Sequence, residues 1–111
     1  MAKFLAVYTG SPDADRPPPD QQTIAAGMAA WQAWGARYKD QIVAFGGPLG
    51  KTKRVTKSGV ADTSNNLAAY VIVEADSHQA AAAMFENHPH FAIFPGDGVD
   101  IMPCLPIPGR G

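Results

Sequence analysis

Two short stretches of this chain are apolar at almost every position, and they constrain the fold more than anything else in it. They are Phe4-Leu5-Ala6-Val7-Tyr8 and the run from Leu67 to Val73. Successive side chains of a strand point to opposite faces, so a strand that is apolar throughout has two faces to bury. Phe4, Ala6 and Tyr8 alternate with Leu5 and Val7, while Leu67, Ala69, Val71 and Val73 alternate with Ala68, Tyr70 and Ile72. A sheet built from them needs cover on both sides.

The other elements are read around these two. From Ser11 to Pro19 the chain is a stiff loop containing Pro12 and Pro17-Pro18-Pro19, because proline fixes φ and lacks a sheet donor. Asp20 stands where a helix N-cap belongs, and Ile24, Met28, Trp31, Gly35 and Tyr38 follow at spacings of four and three, one apolar face widened by Trp34. Gly27 and Gly35 weaken that helix, and close packing against the sheet is their expected use. Ile42 to Phe45 is the second strand, stopped by Gly46-Gly47-Pro48. An exposed hairpin is expected around Ser58-Gly59. A second helix starts near Asp76 or Ser77, with Asp76 and Gln79 as a capping box. It buries Ala80, Ala81, Met84 and Phe85 and stops before Pro89, and Val99 to Met102 is the last strand.

The order β-α-β-(hairpin)-β-α-β, with right-handed crossovers, predicts an α+β fold. It is a ferredoxin-like, four-stranded antiparallel sheet with both helices on one face and a small extra hairpin after the second strand. Residues 1–104 form the domain, and 105–111, with Pro106 and Pro108, an extended tail. Two helices cover one sheet face only. The other would be an apolar patch of a size monomers rarely carry, so a homodimer is expected.

Composition narrows the partners. Nine Lys plus Arg against ten Asp plus Glu give a net charge of −1, which offers no general attraction to nucleic acid or an anionic membrane. The apolar runs are far too short for a membrane span, no basic-then-apolar leader opens the chain, and the lone Cys104 has no partner for an intrachain disulfide. A cytoplasmic protein is expected. Cys104, on the last strand, reads as a small buried hydrophobe.

Several segments together resemble the YCII-related family. They are Ile42 to Leu49 ending in Gly-Gly-Pro-Leu, Tyr70-Val71-Ile72-Val73 running into an Ala-rich helix, Asn87-His88-Pro89-His90-Phe91, and Val99-Asp100-Ile101-Met102-Pro103. The resemblance spans roughly residues 3 to 104. It implies a dimeric α+β barrel in which two sheets pack face to face, with a cleft between sheet and helices in each subunit. The wider superfamily includes cofactor-free isomerases, lyases and monooxygenases acting on small organic molecules. Some family members carry a His on the first helix, paired with an Asp. Here that helix has Trp31 and Trp34 and the first His is His78, so no dyad is carried over. The Asp-Gly-Pro-Phe motif of a sister branch is also missing.

The residues themselves offer a few chemical groups. Imidazole titrates near neutral pH, so His88 and His90 suit proton transfer without a cofactor. Asp97 in the next loop, or Asp100 beyond it, would orient one ring. His90 with Asp97 is the first choice of catalytic pair, with His88 second. The plain alternative is that His88 caps a helix C-terminus while His90 packs in the turn. No metal site is expected from His88, His90 and Asp97, because the bent Pro-containing turn lacks an i, i+4 His pair. Trp31, Trp34 and Tyr38 suit an aromatic substrate pocket, although aromatic residues on a buried helix face are commonly plain core.

Gly46-Gly47-Pro48-Leu49-Gly50-Lys51-Thr52 superficially suggests a phosphate loop, but that motif needs a glycine where Phe45 stands and a helix directly after it. Lys51, Lys53, Arg54 and Lys57 read either as an anion site or as edge lysines of a solvated hairpin. No aromatic residue interleaves them for stacking on bases. Two functions remain open. One is a cofactor-free acid–base enzyme acting on a small organic molecule, and the other a non-catalytic ligand-binding or accessory dimer.

Overall fold

The computed structural model describes residues 1–10 and 18–109. The proline-rich loop expected from Ser11 lies, over residues 11–17, outside the described residues, as do the last two positions of the tail. The elements are β1 (Ala2–Thr9), α1 (Gln21–Arg37), β2 (Ile42–Pro48), β3 (Thr52–Thr56), β4 (Gly59–Thr63), β5 (Leu67–Ala75), α2 (His78–Ala83), α3 (Pro89–Ala92) and β6 (Gly98–Pro103). β2, β5, β1 and β6 form one antiparallel sheet in that order, and β3 pairs with β4 in a separate hairpin. The two all-apolar segments are its central strands. This is the predicted ferredoxin-like α+β arrangement. Among the described residues no helix is long and apolar enough to cross a membrane.

Alternation sorts the side chains. Phe4, Ala6 and Tyr8 of β1 and Val71, Val73 and Ala75 of β5 point to the helices and, with Trp34, Ala81, Met84 and Phe85, make the core. On the opposite face Met102, Leu5, Ile72 and Ala44 stand in a cross-strand row over all four strands. Among the described residues no helix covers that row. Met102 is 41% exposed.

α1 starts where Asp20 accepts the Thr23 N–H at 2.7 Å, and that bond holds the Asp20 carboxyl below its usual range. The buried stripe differs from the predicted one. It runs through Gly27, Trp31, Trp34 and Tyr38, whereas Ile24 and Met28 are 43% and 51% exposed. The glycines explain the rotation. A Cβ on Gly27 would overlap the Phe94 ring, and one on Gly35 would sit 3.1 Å from Phe45. The helix therefore turns its bare positions toward two aromatic rings. Only Gly35 meets the sheet, while Gly27 meets the loop before β6.

The predicted second helix is two pieces. Ser77, not Asp76, is the N-cap, accepting the Ala80 N–H at 3.0 Å. α2 ends at Ala83, Ala80 is exposed, and Asn87 adopts the left-handed conformation with φ 56°. Pro89 then opens α3, where its missing N–H costs nothing. Cys104 also departs from expectation. β6 ends at Pro103, and Cys104, just beyond it, is exposed.

The hairpin stands away from the sheet, with Val55 and Val60 paired across it and 72% and 67% exposed. It contributes to a radius of gyration of 16.0 Å, against about 13 Å for a compact 100-residue domain. Thr52 begins a strand, so no helix follows the Gly46–Thr52 segment and it holds no phosphate loop.

At the β2 irregularity Gly46 has φ +61°, and a Cβ there would collide with the Tyr70 carbonyl oxygen. Gly46→Ala is expected to destabilise by about 2 kcal/mol. Gly47→Ala, with nothing within 4 Å of the new Cβ, should stay within about 0.5 kcal/mol. Urea midpoints at unchanged slope check both.

Candidate functional site

The chain's only buried imidazoles among the described residues meet its aromatic residues behind β1. Tyr8 ends the inward-facing row of β1 and is 2% exposed. A buried phenol needs a partner for its hydroxyl, and Tyr8 Oη finds it in His88 Nε2 at 3.2 Å. His88 packs edge-on to Trp31 and Trp34 at 4.6 and 4.8 Å between ring centroids and stacks on Phe85 at 5.8 Å. Trp34 is itself tied down, its Nε1–H donating to the Met84 carbonyl at 2.7 Å.

Each nitrogen of His88 has a defined role. Nδ1 accepts the His90 backbone N–H at 3.0 Å, so His88 is the N-cap of α3. A nitrogen that accepts carries no proton, so the ring is neutral and Nε2 bears the hydrogen. Nε2–H therefore donates to Tyr8 Oη. Burial, with the neighbouring His90 in second place, pushes the His88 pKa down to about 4. Burial also raises the Tyr8 pKa, which keeps the phenol protonated. His88 thus caps the start of α3, where the packing alternative had it capping a helix C-terminus.

His90 is buried, and its Nε2–H donates to the Thr9 carbonyl at 2.7 Å. The Asp97 backbone N–H reaches the same carbonyl at 2.9 Å, so the two members of the predicted pair converge on one acceptor. The Asp97 side chain is exposed. The loop closes on the His90 ring so tightly that a Cβ on Gly96 would overlap it. His78 lies apart on α2, with Nε2 2.7 Å from the Ile101 carbonyl. Among the described residues no three His, Cys, Asp or Glu side chains group as a metal site requires.

In front of this cluster lies a cleft of about 780 Å³ between α1 and the β2–β5 side of the sheet. Its walls are largely aromatic, from Tyr8, Trp31, Trp34, Phe45 and Tyr70, with Gln32 and Lys39 as polar groups. The size suits a small-molecule ligand. Beside it α1 runs close to α3 and meets β2 where Gly35 faces the Phe45 ring. Of the predicted aromatic trio, Trp31 and Trp34 line the cleft, and Tyr38 packs against the core instead. Neither His88 nor His90 is a wall of it. Tyr8 is, and it also touches both imidazoles, at 5.0 and 5.2 Å between centroids.

Sequence reasoning did not select Tyr8. The available signal was a phenol in an otherwise apolar strand, but its partner is 80 residues away. The basic segment stays on the exposed hairpin, where Lys53 pairs with Asp62 at 2.6 Å, a surface pair worth little.

The chain matches no known protein-family profile and no curated protein. Among solved structures it is similar to the 5-chloro-2-hydroxyhydroquinone dehydrochlorinase of Burkholderia phenoliruptrix, in complex with 2,5-dihydroxybenzoquinone. The TM-score is 0.60 at 19% identity, over 98% of this chain and 99% of that one. The two share a fold.

His88 sets a pH dependence of stability. Unfolded, it takes a proton near 6.5, and folded, only near 4. Its contribution is therefore complete above about pH 6.5 and declines as pH falls toward 4, by roughly 3 kcal/mol at full extent. His88→Asn retains a capping acceptor and has no such titration, so its stability should vary less between pH 7 and 5. Urea melts across that range check the difference.

Proposed function

We propose that this chain is a YCII-related, cofactor-free enzyme that takes a small planar organic molecule into the cleft beneath α1 and performs acid–base chemistry on it. The observation that carries this reading is the aromatic-walled cleft itself, set against the only buried imidazoles among the described residues. The shared fold with a dehydrochlorinase that binds a quinone supports it. For the proton transfer, His90 with Asp97 remains the first choice. With Nε2–H fixed on the Thr9 carbonyl, a neutral His90 keeps its lone pair on Nδ1. His88 ranks second, because both its nitrogens are engaged. The exposed Cys104 suits a reducing, cytoplasmic setting.

A second reading, binding without turnover, is favoured by one specific observation: neither imidazole lines the cleft. Titration with 2,5-dihydroxybenzoquinone and a panel of small phenols, monitored by tryptophan fluorescence, tests both. Saturable quenching that Trp31→Ala weakens at least tenfold supports the cleft, and no quenching by any compound overturns it. Once a compound is turned over, His90→Ala should lower kcat at least tenfold while shifting the melting temperature little. Unchanged turnover in that variant would move the chemistry away from His90 and Asp97.

The working unit in this reading is a two-fold dimer that buries the Met102, Leu5, Ile72 and Ala44 row. Ile72→Asp is expected to yield monomer or aggregate. Light scattering checks it, and a wild-type monomer at micromolar concentration overturns the dimer.

A further inference from the structure

We propose that Tyr8 is the polar contact of the cleft, its phenolic O–H donating a hydrogen bond to an oxygen of the bound molecule. The cleft would then select planar rings bearing a carbonyl or an oxyanion over bare hydrocarbons. This rests on the cleft reading above and adds to it a specificity-determining residue.

The His90 backbone N–H occupies His88 Nδ1, which places the ring hydrogen on Nε2, and that hydrogen points at Tyr8 Oη. The phenolic hydrogen cannot point back at it. Among the described residues His88 is the hydrogen-bond partner of Oη, and no protein acceptor takes the phenolic hydrogen. Tyr8 is also a wall of the cleft, and His88 is not. A donor without a protein acceptor, on the wall of an apolar cleft, is a site for a ligand oxygen. Lys39 on the same cleft adds a positive charge that favours an oxyanion. Burial keeps the phenol protonated, as a donor must be. His88 is then a positioning residue. It holds the phenol oxygen and leaves the proton for the ligand.

Two measurements test this. Long-range proton–nitrogen spectra of the ¹⁵N-labelled protein should show His88 as the Nε2–H tautomer, and the Nδ1–H tautomer would overturn the proposal. Fluorescence titration with 2-naphthoate and 2-methylnaphthalene, a pair differing in the oxygen-bearing group, gives the second. Tyr8→Phe should weaken 2-naphthoate about 10- to 100-fold and leave 2-methylnaphthalene within about twofold. His88→Asn should weaken 2-naphthoate severalfold with the same selectivity, which a merely structural role would not produce. Equal affinity of wild type and Tyr8→Phe for 2-naphthoate, or equal loss of both compounds, overturns the role of Tyr8 while leaving the cleft standing. If neither compound binds the wild type while 2,5-dihydroxybenzoquinone or a phenol does, this inference falls and the cleft stands; if nothing binds, both fall.

Discussion

One imidazole joins most of the molecule. His88 is 1% exposed, and a buried polar ring is tolerable only if its nitrogens are satisfied. Both are, by the first backbone N–H of α3 and by the Tyr8 phenol. Those two bonds fix α3 to β1 across 80 residues of chain, and the same ring packs edge-on with Trp31 and Trp34 of α1 and stacks on Phe85. A protonated ring would break the cap at Nδ1 and carry charge into the aromatic cluster. The low pKa and the geometry are therefore the same fact seen twice.

Close backbone approach does the remaining work of shaping the site. Gly27 lets the Phe94 ring lie on α1, and Gly96 lets the loop before β6 close over His90. Each contact places an aromatic or imidazole ring where a side chain would otherwise stand, and together they draw α1 toward α3. On its other side α1 meets β2, where Gly35 faces the Phe45 ring, and the cleft lies beside that contact.

Much of this fold is legible in the sequence alone. Strands apolar on both faces, the Asp20 cap, the hairpin at Ser58-Gly59 and the order of elements all rest on local pattern, and local pattern is what a sequence records. The rotation of α1 is not legible, because Ile24 and Met28 look more like core than Gly27 does. Only the Phe94 ring, distant in the chain, makes the bare glycine the better contact. The break between α2 and α3 is half-visible. Pro89 signals a boundary, but the capping of α3 by His88 depends on that ring turning back toward its own backbone. The site is legible as a set of candidates, His88, His90, Trp31 and Trp34, but not as an arrangement. Tyr8, which connects the imidazoles to the cleft, reads as one more residue of a buried strand.

The cleft is more than a fault in packing. Protein interiors close to nearly crystalline density, and a gap beside the core is costly unless something fills it. Here the walls between the aromatic residues are Gly35, Ala36, Gly47 and Ala69. At Gly47 a Cβ would meet nothing within 4 Å, so a larger side chain there would enter the space, whereas Gly35 is already filled by the Phe45 ring. Gln32 and Lys39 stand on an otherwise apolar wall, and Tyr8, on the same wall, has its oxygen held by an imidazole. A few polar groups on an apolar concave wall are the make-up of a small-molecule site, and that is the ground on which the proposed function rests.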